Sequence, residues 1–135
     1  MKTKTAYLIR PRHIEIRNEE VKPGKGNVLI KVATCGLCNY ELNNWEGLMG
    51  ELPIKLGHEA AGTIVELGEE VSRFKVGDKV TGAIWSSFSE YVSANENGLF
   101  KLNDDIDPKY AFCEPVKCVT TVVRSTSPEA GDFRK

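Results

Sequence analysis

The run Asn27-Val28-Leu29-Ile30-Lys31-Val32-Ala33-Thr34 constrains the fold more than any other stretch. Its alternation puts Val28, Ile30 and Val32 on one face, the signature of a strand with a buried side. Shorter β-prone runs surround it at 4–9 and 13–16, then at 60–67, from Val80 onward and at 88–92. Turn residues punctuate them. Pro11 has no N–H and biases Arg10 toward extended backbone, so it separates the first two runs. Val21-Lys22-Pro23-Gly24-Lys25-Gly26 reads as a polar turn, and residues 46–55 as a loop with Gly47, Gly50 and Pro53. Gly62, inside an otherwise apolar run, marks a bulge or a close approach of two backbones. Many short strands at this spacing predict a mainly β domain, closed or partly open as a barrel. Helices are expected to be few. Residues 39–45 turn once or twice before Gly47, and Asp107-Pro108 supplies an N-cap and first-turn proline for a helix reaching Phe112. Glu114-Pro115 opens a second that continues to Val123 and stops at Ser127-Pro128.

The central strand delivers Cys35-Gly36-Leu37-Cys38 at its carboxyl end, and the run at 60–67 is entered through Leu56-Gly57-His58-Glu59. His58 is one of two histidines; the other, His13, reads as an exposed strand residue. Catalytic zinc takes three protein ligands from Cys, His and Asp/Glu and keeps a fourth position open. One thiolate, one imidazole and one carboxylate would complete such a set around His58. The thiols available are Cys35, Cys38, Cys113 and Cys118. All four together make an alternative, an all-thiolate structural site, which leaves His58 without a role. A redox dithiol at Cys35 and Cys38 lacks the surrounding βαβ pattern. Otherwise Cys113 and Cys118 read as small apolar residues on a buried helix. Tyr40, Trp45 and Trp85 suit a substrate cleft and a packed core equally.

Composition narrows the partners. With 135 residues, 41% of them hydrophobic, one core and one domain spanning 1–135 are expected. The net charge is -1, from 18 basic and 19 acidic residues that are interspersed, which leaves no electrostatic footprint for nucleic acid or an anionic membrane. No apolar run has the length of a membrane span, and the start of the chain is too short and polar for a signal peptide. A cytoplasmic protein with reduced thiols is the expectation.

Several motifs in a shared order carry a resemblance: Cys35-Gly36-Leu37-Cys38, Leu56-Gly57-His58-Glu59, Gly62-Thr63-Ile64-Val65-Glu66-Leu67-Gly68, Val71 with Phe74, Gly77-Asp78-Lys79-Val80, Glu90-Tyr91-Val92 and Glu114-Pro115. The chain resembles the N-terminal GroES-like catalytic domain of the zinc-dependent medium-chain dehydrogenases, the alcohol, polyol and threonine dehydrogenase group. That resemblance implies a GroES-like, partly open β-barrel with short helices, and a C-terminal helix leading into a linker at about 126–135. It implies zinc held by Cys38, His58 and Glu114, with Glu59 as the neighbouring or exchanging carboxylate. Zn²⁺ then acts as a Lewis acid on an alcohol oxygen, and a nicotinamide accepts the hydride.

Three departures refine the expectation. Tyr40 stands where many relatives carry the Ser or Thr of a proton relay, so its hydroxyl is the candidate for that role. The cysteine-rich lobe of many relatives is absent between Gly82 and Phe88, so one zinc is expected. A Rossmann domain does not follow within these residues, and Gly24-Lys25-Gly26 leads into a strand rather than a helix, unlike a dinucleotide fingerprint. NAD(P) therefore belongs to a full-length parent. The sequence implies the zinc-bearing half of a dehydrogenase of secondary alcohols, polyols or sugars, inactive alone and prone to self-association. The alternative is a stand-alone zinc-binding module with a structural or interaction role.

Overall fold

The computed structural model describes residues 1–111 and 113–126. Eight strands form two sheets, with two α-helices and two short 3-10 turns. The first sheet pairs β1 (Lys2–Arg10) with β2 (His13–Glu20) on one side and β4 (Ile54–Lys55) on the other. In the second, β3 (Asn27–Cys35) lies between β7 (Tyr91–Asn95) and β5 (Glu59–Leu67), and β5 continues through β6 (Lys79–Ala83) to β8 (Leu99–Lys101). All named pairings are antiparallel. The sheets meet where Ala6 N–H donates to Phe88 O at 2.9 Å and Glu90 N–H donates to Lys4 O at 3.2 Å. Among the described residues the strands do not close into a barrel, in line with the partly open form expected.

β3 carries the core. Val28, Leu29 and Ile30 are each 0% exposed, so its first half is buried on both faces, one more residue than simple alternation requires. Ile64, Val80 and Ile84 pack with Val28 and Ile30 in one cluster. The β3–β5 register shifts twice, between Leu29 and Ile30 and between Val32 and Thr34. Gly62 lies beside the second shift, where an added Cβ would sit 2.2 Å from Lys31 O, so only a glycine lets the two backbones approach. The register pairs Ala60 with Cys35, so the start of β5, directly after His58, lies beside the carboxyl end of β3.

The helices differ from expectation in two ways. α1 (Asn39–Trp45) forms where expected. Pro108–Tyr110 is a single 3-10 turn instead of a helix, capped by Asp107, whose side chain accepts from Lys109 N–H at 3.0 Å. Its i→i+3 bond from Tyr110 N–H to Asp107 O closes the turn, and too few residues remain before α2 to nucleate an α-helix. Phe112, the expected helix end, lies outside the described residues. α2 (Glu114–Thr126) forms, but it buries none of its residues, and Cys118 is exposed, which corrects the expectation of a buried helix. Its valines at 116, 119, 122 and 123 are 41–69% exposed among the described residues. The expected stop at Ser127-Pro128 and the linker after Thr126 fall outside the described residues. No helix in those residues is long and apolar enough to cross a membrane.

Candidate metal centre

Two turns bring the chemistry together. Cys38 ends the loop after β3 and caps α1, its Sγ accepting from Tyr40 N–H at 3.2 Å. Three residues on, the Glu41 carboxylate reaches back to Cys38 N–H at 3.2 Å. This reciprocal arrangement is a capping box with cysteine in the usual place of serine or threonine. It fixes the thiol and the carboxylate relative to one another.

His58 arrives from the opposite direction. Gly57 before it has φ +89°, a conformation that L side chains rarely adopt, and an added Cβ would lie 2.5 Å from Phe88 N. Leu56 O accepts from Phe88 N–H and His58 O from Ile84 N–H, at 3.1 and 2.9 Å, so the backbone is clamped on both sides of the ring. His58 is buried, 7% exposed. Its Nδ1–H donates to Glu41 Oε1 at 2.7 Å, and Glu41 itself is 1% exposed. That bond assigns the tautomer and turns Nε2 toward Cys38 Sγ, 3.6 Å away.

The carboxylates complete the cluster. Glu59, the first residue of β5, is buried, and its side chain lies over Gly36, where any Cβ would stand 2.5 Å from its Cδ. Gly36 in the Cys35-Gly36-Leu37-Cys38 motif thus makes room for the acid beside His58. Ligating atoms of Cys38, Glu41, His58 and Glu59 all lie within 4.8 Å of one another. Glu114 reaches in from the first turn of α2, its Oε1 3.9 Å from His58 Nε2. A 380 Å³ cavity lined by Cys38, Glu59, Glu114 and Cys118, among others, opens above them.

Electrostatics describe a site rich in donors and poor in cations. Burial pushes the Glu59 carboxyl up, His58 opposes it, and Glu114 and Glu41 push it further. Burial likewise raises the Cys38 thiol, offset in part by Tyr40 N–H and reinforced by Glu41 and Glu59. A divalent cation among these groups relieves that repulsion. The spacing suits one: zinc–sulfur and zinc–nitrogen bonds of about 2.3 and 2.0–2.1 Å at the tetrahedral angle put the two donors about 3.6 Å apart, and Cys38 Sγ and His58 Nε2 are 3.6 Å apart. Glu114 is half an ångström wider from His58 than the roughly 3.4 Å of a tetrahedral nitrogen–oxygen edge.

The remaining residues sort by position. Cys35 Sγ faces Ser87 Oγ at 3.1 Å, Cys113 lines a different cavity beside Phe100, and Cys118 donates to the Glu114 carboxylate at 2.8 Å. The four thiols do not converge. Tyr40 and Trp85 pack around the imidazole: Tyr40 meets it edge-on with centroids 5.2 Å apart, and Trp85 stacks on it at 5.3 Å. Trp45, the last residue of α1, lines a different cavity with Leu42, Leu56 and Phe88. Glu41 is the residue that sequence reasoning missed.

An open, two-sheet β domain that gathers thiol, imidazole and carboxylates at one end is the class of structure this chain forms. The alcohol dehydrogenase GroES-like domain model matches residues 24–104. The (R,R)-butanediol dehydrogenase of Bacillus subtilis (strain 168) is 35% identical over 163 residues, covering 92% of this chain and 46% of that protein. A sorbitol dehydrogenase of Halalkalibacterium halodurans is 33% identical, over 84% of this chain and 42% of its own length. A solved structure described as a putative zinc-binding dehydrogenase from Sinorhizobium meliloti 1021, bound to NADP, superposes with a TM-score of 0.82 at 25% identity, covering 93% of this chain and 46% of that one. The chain spans a little under half the length of these relatives. It belongs to the alcohol dehydrogenase GroES-like domain family, the N-terminal domain of the medium-chain dehydrogenases.

Proposed function

We propose that this chain is the zinc-binding catalytic half of an NAD(P)-dependent dehydrogenase that oxidises a secondary alcohol, polyol or sugar, with residues 1–135 forming that domain. The observation that supports this reading is the 3.6 Å separation of Cys38 Sγ and His58 Nε2, which matches the roughly 3.6 Å expected between a sulfur and a nitrogen sharing one tetrahedral zinc ion. Cys38, His58 and Glu114 are the ligands in this reading, and Glu59 is the carboxylate within exchange distance. Zinc held there supplies a Lewis acid for an alcohol or carbonyl oxygen.

The chain's own residues do the rest. Glu41 holds the His58 tautomer and keeps Nε2 unprotonated toward the ligand side. The rings of Tyr40 and Trp85 cover the imidazole and limit water there. Tyr40 contributes the hydroxyl that takes the substrate proton outward. The partners are a small alcohol or polyol and, in the longer enzyme, a nicotinamide coenzyme. The free cysteines fit a reducing cytoplasm.

Metal analysis of the purified chain tests this reading. About one zinc per chain is expected. Cys38→Ser and His58→Ala lose it, whereas Cys35→Ser keeps it. Full retention of zinc by His58→Ala overturns the ligand assignment.

A further inference from the structure

Among the described residues β2 has one neighbour, β1, so its outer edge meets no other strand. An edge strand presents unpaired backbone N–H and C=O groups, and proteins blunt such edges with proline, lysine or a short length. β2 uses none of these: it has eight residues, HIEIRNEE, without proline or lysine. Residues 14–18 are all exposed, and Ile16 in their middle is 64% exposed. We propose that β2 pairs antiparallel with β2 of a second copy of this chain, about a two-fold axis at Ile16, joining the two three-stranded sheets into one.

The strand's own sequence selects that partner and that register. A two-fold axis perpendicular to the sheet preserves its faces, so odd-numbered residues meet odd and even meet even across the join. With Ile16 opposite Ile16, Glu15 of each copy meets Arg17 of the other, His13 meets Glu19, and Ile14 meets Asn18. The Glu15 and Arg17 contacts occur twice and join opposite charges both times. Moving the axis to Glu15 sets that carboxylate against its own copy. Moving it to Arg17 sets guanidinium against guanidinium and Glu15 against Glu19. Like charges directly opposite one another destabilise a strand pair, so one register is favoured and both of its neighbours are opposed.

The joining face is already ordered. Arg17 donates to Glu15 Oε2 from Nη2 at 2.9 Å and from Nε at 3.2 Å, and its guanidinium lies 5.0 Å over the Tyr7 ring. Glu19 accepts from Thr5, Tyr7 and Lys55. Side chains held in this way lose little further freedom on association. On the other face β1 sets the small Ala6 beside Ile16, which leaves most of the isoleucine for its counterpart. A single strand pair is a small interface, so the dimer forms and dissociates with concentration. The proposal makes no use of the metal. The exposed valines of α2 are a separate source of association, and the test distinguishes the two.

Sedimentation equilibrium of the full chain is run with a reductant, which keeps the exposed Cys118 from linking copies. The mass is expected to rise with concentration from 15.0 kDa toward twice that value. Glu15→Arg and Arg17→Glu, each checked for native circular dichroism, place like charges opposite one another twice and are expected to associate at least about tenfold more weakly. Mixed in equal amounts, these two variants are expected to associate again, because each supplies the charge that the other lacks. The double variant Glu15→Arg/Arg17→Glu restores opposite signs and is expected to match the parent, whereas Val119→Glu on α2 leaves association unchanged. A parent that keeps the mass of one chain up to millimolar concentration overturns the proposal. So do single variants that associate as tightly as the parent, a mixture no tighter than its components, or association lost in Val119→Glu and kept in the β2 variants.

Discussion

Removing the Glu41 carboxylate isolates what orients the imidazole from what would ligate zinc. Glu41 accepts a bond from His58 Nδ1–H at 2.7 Å and another from Cys38 N–H at 3.2 Å, at a site 1% exposed. In Glu41→Ala both donors lose their partner. The bond to the buried carboxylate is worth about 1.5–3 kcal/mol and the capping bond about 1 kcal/mol, so the fold should lose roughly 2.5–4 kcal/mol. The freed imidazole also no longer holds its tautomer, and loss of such a partner typically lowers metal affinity about 10- to 100-fold. Glu41→Gln keeps the shape and one acceptor but loses charge assistance, which roughly halves a hydrogen bond, so its effects should lie at the lower end. Urea unfolding of the zinc-free chain reads the first quantity, and competition against a chromogenic chelator reads the second. If Glu41→Ala binds zinc as tightly as the parent while Cys38→Ser does not bind it, the imidazole needs no orienting partner and the reasoning fails.

Two further outcomes follow from the fold. Gly57→Ala forces a side chain into φ +89° and against Phe88 N, so it should destabilise the chain by at least about 2 kcal/mol and weaken zinc binding with it; urea unfolding at unchanged m-value with no shift would contradict this. The Asp78 carboxyl is held below its ordinary value by Lys101 Nζ at 2.7 Å first and by Lys75 N–H next. A lowered native value means the contribution is complete above the unfolded carboxyl value of about 3.9 and is lost as pH falls through the native one. Asp78→Asn should therefore lose less stability than the parent between pH 5 and pH 3, measured by urea midpoints, and parallel acid limbs would refute it.

The framework was legible where local pattern and environment agree. β-branched runs at 27–34 and 60–67 became β3 and β5, and Gly62 marked their close approach, because a two-residue period encodes burial directly. Cys38 and His58 both stood out as rare residue types in the short segments that flank strand runs. Glu41 was hidden by an unusual substitution. Its three-residue spacing from Cys38 is that of a capping box, but with sulfur where the familiar signal has a hydroxyl. The stacking of Trp85 on His58 spans 27 positions and has no local signature. β8, only three residues long, fell below any periodic signal. The buried Glu96, whose Oε2 accepts from Ser72 and Arg73 N–H at 3.1 and 2.9 Å, finds its partners in a distant turn and has no local signature. α2 misled in the other direction: Cys113 and Cys118 read as small apolar residues on a buried helix, yet Cys118 is exposed and α2 buries none of its residues.

X-ray absorption at the zinc edge of the loaded chain addresses the central claim most directly. The account predicts one sulfur at about 2.3 Å and the other donors, nitrogen and oxygen, at about 2.0–2.2 Å, with the sulfur contribution gone in Cys38→Ser and intact in Cys35→Ser. A shell with no sulfur, or one that keeps its sulfur in Cys38→Ser, would contradict it.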